Sequence, residues 1–437
     1  MLSLADSPAL AEALGWIDPA SRRSLVVAVS GGSDSTALLV ALKRHLDAAG
    51  GGARIVAVTV DHGLRAESAA EAERVARFCA GLGVSHVTKT WRGDKPVRGV
   101  AAAAREARYA LLAKAARAAG ADMVLTGHTA DDQAETVLMR SGRGPGPGLA
   151  GMAGAALFDR QTWIVRPFLG HRRETLRCFL AGLGIGWIDD PTNADTGQER
   201  VRVRRRLASD PGGFKALIAT ARRERERRAR LSVDAAALVE ARVDMAAPGL
   251  LRVDTAFPLP DESSRHATAA LMACAGGARY LPSDRQVKAL ARAGRGNLSG
   301  AVLTRRKHGF FIHRERRGSE TPGFAGDVFD GRFVLAREAV EAGWCLALAG
   351  TGGAACDPEI TGIPKDVFRA AGAMEARPVF SGRSATPGIE PAIFRHLAPF
   401  DHFLPEFDLT LANAMAALFG RESYPPPPSN RRDHAES

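Results

Sequence analysis

The sequence predicts an α/β fold: a parallel, doubly wound sheet in the N-terminal part, then a helical linker and middle domain, then a small mixed C-terminal domain. Two observations carry this. From Ser24 to about Leu183, short β-branched runs alternate with longer alanine-rich amphipathic segments, and strand and helix in strict turn require crossovers between parallel strands. After Gln198 the chain becomes strongly basic and helical, and after Asn297 short apolar runs separated by glycine turns appear.

In chain order, strands are expected at 25–29, 55–60, 86–90, 123–126 and 163–166, with helices at 36–48, 66–82, 100–119, 131–139 and 172–181 between them. The expected domains are 1–198, the doubly wound domain; 199–296, a basic helical linker and middle domain; 297–424, a small mixed domain with strands near 303–306, 309–313 and 332–335; and 425–437, a disordered tail opened by four prolines. In a doubly wound sheet, ligands bind beyond the carboxyl ends of the strands, so chemistry is expected at the strand exits.

The 437 residues, 46% hydrophobic, suffice for two or three domains with substantial cores. A net charge of +11 suits a polyanionic partner, although charge kept for solubility would read the same. Five scattered cysteines, with no C-x-x-C and no paired Cys/His spacing, argue against a zinc site, a disulfide scaffold and an iron–sulfur cluster. The N-terminus has no secretory pattern, and no apolar stretch approaches the roughly 18 residues of a membrane span, so a cytoplasmic location is expected.

The first strand exits into Ser30-Gly31-Gly32-Ser33-Asp34-Ser35, directly before a helix. Two glycines allow a tight turn, serines add hydroxyl donors, and the helix N-terminus presents unpaired N–H groups: an anion cradle. It lacks the Gly-Lys-Ser/Thr ending of a Walker loop. Asp34 would repel phosphate unless a cation lay between them, so it reads as a magnesium ligand. The second strand exits into Asp61-His62-Gly63-Leu64-Arg65, where Asp61 is either a site residue or a helix cap. The fourth exits into His128-Thr129-Ala130-Asp131-Asp132-Gln133-Ala134-Glu135. There Asp132 and Glu135, i and i+3, share a helix face with His128 folding back, and either magnesium or a cationic substrate would relieve their repulsion. Arg108 sits on the third helix, and Arg143 opens a Gly/Pro loop that reads as a lid or as a plain linker. The basic run from Arg200 and Arg204 to Arg230 fits a polyanion or a solvated helix face equally well.

In order, SGGSDS from Ser30, DHGLR from Asp61, AREARY from Ala104, HTADDQAET from His128, RGPGPGLAGM from Arg143, then Arg166-Pro167-Phe168 and Asp190-Pro191-Thr192-Asn193 with Arg200 and Arg204, resemble the PP-loop ATP pyrophosphatase superfamily, and within it the tRNA(Ile)-lysidine synthetase family. Pro145 departs from a small polar residue, and Val201 from an asparagine. The resemblance implies a ligase with ATP and Mg2+ as cofactors, free L-lysine as one substrate and tRNA(Ile) with a CAU anticodon as the other. The wobble cytidine would be adenylated at C2 and the lysine amine would displace AMP, changing decoding from AUG to AUA. It implies ATP on Ser30, Gly31, Gly32, Ser33, Asp34 and Ser35, with the metal on Asp34; catalytic roles for Asp132, Glu135, His128 and Arg108; and substrate contacts from Asp61, His62, Arg65, Arg143, Arg200 and Arg204. A homodimer stays open. The rival within the superfamily, a tRNA 2-thiolation enzyme, would call for a cysteine pair that is missing. If the basic run serves RNA, charge reversal at Arg222 and Arg223 should weaken tRNA retention on filters while leaving ATP affinity unchanged.

Overall fold

The computed structural model describes residues 8–15, 22–50, 52–63, 68–142, 144, 146–189, 199–254, 261–307, 309–316, 328–341, 344–350, 363–380 and 392–428. Arg65, Arg143, Pro145, the 190–193 motif and the tail beyond 428 lie outside these residues. Two compact units emerge, 1–226 with 425–437, and 227–424.

The first unit begins with α1 (Pro8–Gly15), β1 (Ser24–Ala28), α2 (Ser33–Ala48), β2 (Arg54–Asp61), α3 (Ser68–Gly81), β3 (Ser85–Thr90), α4 (Val100–Ala118), β4 (Met123–Leu125) and α5 (Ala130–Ser141). It continues with β5 (Ala155–Phe158), β6 (Thr162–Val165), α6 (Arg173–Gly182) and α7 (Glu199–Ala208). Its strands lie in the order β5-β6-β4-β1-β2-β3. β1 pairs in parallel with β2 (Ser24 opposite Arg54) and with β4 (Val26 opposite Val124), and β4 pairs in parallel with β6 (Met123 opposite Trp163). β1, β4, β5 and β6 are almost wholly buried, which accounts for their unbroken apolar runs.

Strand β5, antiparallel to β6 with Ala155 opposite Val165, is a departure from the expected purely parallel pattern. Its sequence, Ala-Ala-Leu-Phe, has neither alternation nor β-branching, and its hairpin turns through Asp159 and Arg160 at positive φ of 47° and 58° instead of through glycine. The order reverses between β4 and β1, so the crevice at a topological switch point opens between the turn after β1 and the turn after β4. There the two turns touch: a Cβ on Gly127 would stand 2.8 Å from the backbone C and O of Asp34 and the N of Ser35.

The basic run forms two helices, α7 and the 32-residue α8 (Pro211–Arg242), not one. Asp210 separates them by accepting from Gly213 N at 2.8 Å, with Pro211 as the first residue of α8, a position that needs no N–H donor. The unit boundary at 226–227 falls within α8.

The second unit continues through β7 (Val243–Ala247), β8 (Leu250–Val253), α9 (Glu262–Gly276), α10 (Asp284–Ala293), β9 (Arg295–Leu298), β10 (Ala301–Arg306) and β11 (Gly309–Arg314). These strands make an antiparallel sheet in the order β7-β8-β11-β10-β9. Its core gathers Leu250, Phe311, Val367 and Phe368. The boundary expected between 296 and 297 runs through β9, and the supposedly helical 199–296 contributes three strands of this sheet; β7 and β8 were missed because Val-Asp-Met-Ala-Ala and Leu-Leu-Arg-Val are short and weakly patterned. Part of the basic run is structural as well: Arg228 donates to the buried Asp408 at 2.6 Å.

Because Gly127 faces main-chain atoms that cannot swing aside, Gly127→Ala is expected to cost about 1–3 kcal/mol. Urea denaturation of the full-length protein measures this, and an unchanged midpoint would contradict the close approach.

Candidate active site

The turn after β1 is shaped for an anion. Gly31 has φ +85°, and a Cβ there would meet Ile188 Cδ1 at 2.8 Å and Val75 at 3.0 Å, so both conformation and space require glycine. Gly32 caps α2 without a side-chain hydrogen bond of its own, leaving the helix's first N–H groups directed at the cleft. Ser35 Oγ accepts from Ser30 N at 3.1 Å and donates to Gly32 O at 3.1 Å, which closes the turn on itself. Ile188 N donates to Gly31 O at 2.9 Å and ties the segment after α6 to the turn.

Opposite lies the start of α5. Thr129 caps it reciprocally with Asp132: Thr129 N donates to Asp132 Oδ2 at 2.9 Å, and Asp132 N to Thr129 Oγ1 at 3.5 Å. Asp132 Oδ1 remains for other partners. His128 Nδ1 is 2.9 Å from Thr126 Oγ1. Burial, reinforced by the Arg166 guanidinium, pushes the His128 pKa down to about 3 despite the Asp132 carboxylate. The imidazole is therefore neutral at pH 7.

A cleft of about 870 Å³ joins the two turns, lined by Ser30, Gly32, Ser33, Asp34 and Ser35 on one side and by Arg108, His128 and Asp132 on the other. Arg200 and Arg204 reach it from α7. Glu135 does not line it. It is 1% exposed and lies behind arginines, 2.9 Å from Arg204 Nε, 3.6 Å from Arg200 Nε and 3.7 Å from Arg173 Nη1. Its Oε2 has no hydrogen bond. Asp61 and His62 also stand outside the lining. Asp61 accepts from Gly63 N at 2.8 Å, which holds its pKa below the ordinary value, and His62 Nε2 lies 3.4 Å from Arg108.

Arg173, unremarked in the sequence, organises the acids. Its Nε donates to Asp34 Oδ2 at 2.8 Å and its Nη2 to Asp132 Oδ1 at 3.1 Å. Its Nη1 also stands 3.7 Å from Glu135, so a guanidinium lies against both Asp132 and Glu135, the pair whose repulsion magnesium or an ammonium was expected to relieve. Burial works against the Arg173 charge, but Asp132 and Asp34 outweigh it and hold its pKa above the usual value. Burial raises the Asp34 pKa and Arg173 offsets only part of this; for Asp132, burial is overcome by Arg173, His128 and the Thr129 N–H, and its pKa falls.

The neighbouring acid Asp131 places this arginine, accepting from Arg173 N at 2.8 Å and pairing with the Arg172 guanidinium at 3.2 Å. A helical turn on, Arg177 Nε reaches Ser33 Oγ at 3.4 Å. The signal available was the i, i+4 pair Arg173 and Arg177, which lies alongside the buried stripe of Leu176, Phe179 and Leu180 on the same helix. Gln133, in turn, locks the Gly/Pro loop: Met152 N donates to its Oε1 at 2.7 Å, and its Nε2 donates to Met152 O at 3.1 Å.

Among the described residues no three His, Cys, Asp or Glu side chains cluster in a way that could hold a metal ion. Asp34 as a single carboxylate beside an anion cradle nevertheless fits magnesium carried on a polyphosphate, which takes one or two protein carboxylates and completes its shell with phosphate and water.

A family model described as a PP-loop domain matches residues 7–210. A tRNA(Ile)-lysidine synthase of Mesorhizobium japonicum is 43% identical over 92% of this chain and 94% of its own length. One from Rhizobium meliloti is 39% identical over 93% and 94%, and one from Brucella canis 37% identical over 91% and 95%. Among solved structures, the U34-tRNA thiolase NcsA from Methanococcus maripaludis with its [4Fe-4S] cluster aligns with 50% of this chain and 78% of its own, at a TM-score of 0.42 and 14% identity.

Since the folded His128 pKa lies below its unfolded value of 6.5, the folded protein binds fewer protons than the unfolded one between pH 6.5 and about 3, and stability falls as pH drops through that window. His128→Gln is expected to flatten this acid-side decline. Thermal midpoints from pH 7 to pH 4 measure it, and an unchanged slope would refute the neutral imidazole.

Proposed function

The chain belongs to the tRNA(Ile)-lysidine synthase family, and from that premise we propose that it joins the ε-amine of free lysine to C2 of the wobble cytidine in a CAU-anticodon isoleucine tRNA, consuming ATP and releasing AMP and pyrophosphate. The observation that carries this reading is that the phosphate turn and Asp132 line one cleft, with Arg173 between them.

In the first step, the cytidine O2 attacks the α-phosphorus of ATP and the bond to pyrophosphate breaks. Ser30 to Ser35 would grip the leaving phosphates through N–H and hydroxyl donors. Asp34 would hold the magnesium that accompanies ATP, which when bound neutralises charge on the departing pyrophosphate. Arg108 and neutral His128, on the opposite wall, would orient the adenylated base, with His128 donating or accepting one hydrogen bond without adding charge.

The second step forms the N–C2 bond and breaks the bond from C2 to the oxygen that leaves with AMP. Free lysine carries an ammonium with a pKa of about 10.4, so a carboxylate must bind it and take its proton. Asp132, held ionised at the cleft wall, suits the binding of the ammonium, and the proton would pass to it only as the N–C2 bond forms and the amine becomes acidic. Glu135 would recognise the amino acid only once a guanidinium yields its place, Arg173 and Arg200 being the more distant partners at 3.7 and 3.6 Å. Val201, where the family commonly has asparagine, is buried on α7 and takes no part in the cleft lining.

The target base must be splayed out of the anticodon stack to enter such a cleft. α7, α8 and the 227–424 unit would contribute contacts to tRNA phosphates, and the exposed Arg222, paired only at the surface with Glu226, is available for that. Thiolation is disfavoured because Cys79, Cys178, Cys274 and Cys345 sit on four different elements, and burial pushes the Cys79 thiol up to about 11.

Incubation with ATP, magnesium, radiolabelled lysine and unmodified isoleucine tRNA should transfer label to the anticodon and yield AMP. Production of ADP, or no label uptake, would overturn the reading. Asp132→Asn is expected to lower label transfer by about 10²–10⁴-fold, the usual worth of a general base, and a loss below tenfold would remove Asp132 from that role.

A further inference from the structure

The PP-loop turn has no lysine to meet the charge of a triphosphate, and the structure offers a substitute from another helix. Arg173 and Arg177 lie one turn apart on α6, and both line the cleft facing the turn. Arg173 Nε is 2.8 Å from Asp34 Oδ2 and Arg177 Nε is 3.4 Å from Ser33 Oγ, so each guanidinium already touches a residue of the phosphate cradle. The other arginines of the cleft are committed elsewhere: Arg200 and Arg204 to Glu135, and Arg108 beside His62 on the far wall.

Helix α6 is also held by contacts outside the cleft. Asp131 accepts from Arg173 N, the Arg172 guanidinium stacks 4.0 Å from the centre of the Phe214 ring, and Ala130 N donates to His171 O at 2.8 Å. Arg177 is held by weaker partners, Asp189 at 3.4 Å with 76% of that side chain exposed, and the Trp187 ring at 5.6 Å. A polyphosphate would compete well for it, because bidentate guanidinium–phosphate pairing in a partly buried cleft is stronger than an exposed ion pair.

We propose that Arg173 and Arg177 together form a guanidinium clamp on the β- and γ-phosphates of ATP, replacing from another helix of the same chain the lysine that a Walker loop carries within itself. Arg177 touches the phosphates from the outer rim. Arg173 does so from within, passing its hold on Asp34 to the incoming nucleotide with its cation. This deepens the proposed function and rests on it only for the identity of the nucleotide.

The clamp discriminates ATP from AMP, which lacks the gripped phosphates. With magnesium present, Arg177→Gln in the full-length protein should weaken ATP binding by calorimetry at least tenfold while AMP affinity stays within twofold, and Arg177→Lys should recover part of the loss. Arg173→Gln leaves clustered acids unpaired and risks misfolding, so Arg173→Lys is the informative variant. It should raise the KM for ATP in pyrophosphate exchange more than it lowers kcat. Equal losses for ATP and AMP, or an unchanged ATP affinity in Arg177→Gln, would overturn the clamp. If wild-type protein prefers ATP over AMP as described but attaches no lysine to tRNA, the lysidine reading fails and the clamp stands.

Discussion

The geometry of the cleft depends on one partly buried guanidinium held between two carboxylates from different strand exits. Asp34 comes from the turn after β1 and Asp132 from the helix after β4, and without Arg173 between them the two would repel across a partly desolvated gap. The sheet brings the turns together at its switch point, and Gly127 lets them touch, but the charge balance is supplied by α6. The switch point is thus a junction of three elements, and Asp131 serves the third by receiving the first N–H of α6.

The same arrangement explains why the acids do not behave alike. Asp132 has the Thr129 N–H, Arg173 and a neighbouring imidazole, and stays ionised readily; Asp34 has Arg173 and a serine, and burial weighs more heavily on it. A magnesium-bearing ligand would correct the second imbalance without disturbing the first. Glu135, sealed behind Arg204, Arg200 and Arg173, is a third case, a carboxylate that organises cations on the side of the cleft nearest α7.

Much of the first unit was legible from its residues because parallel strands buried on both faces write themselves as short apolar runs, and the helices between them as alanine-rich amphipathic stretches. The phosphate turn and the Asp132 helix followed from local spacing, and both line the cleft. What was not legible had specific causes. Strand β5 has no pattern that separates it from a loop, β7 and β8 are too short to register, and the boundary near 296 cut a sheet whose strands pair across long sequence distance. Arg173 and Arg177 went unremarked, since nothing local says that α6 packs against α2. Asp61 and His62 stand at a strand exit as expected yet miss the cleft, to which β2 contributes Val58 and Val60 instead.

The reciprocal cap at the start of α5 ties reactivity to architecture. Asp132 uses one oxygen to receive the Thr129 N–H and the other to face Arg173, so the group suited to take up a proton is also a staple of its own helix. Protonation would strip charge from both contacts at once, so the first turn of α5 should loosen when the acid is neutral and tighten when it is not. Lengthening the side chain by one methylene, as glutamate would, moves both oxygens off their partners; the acid's reach cannot be altered without altering the helix that aims it.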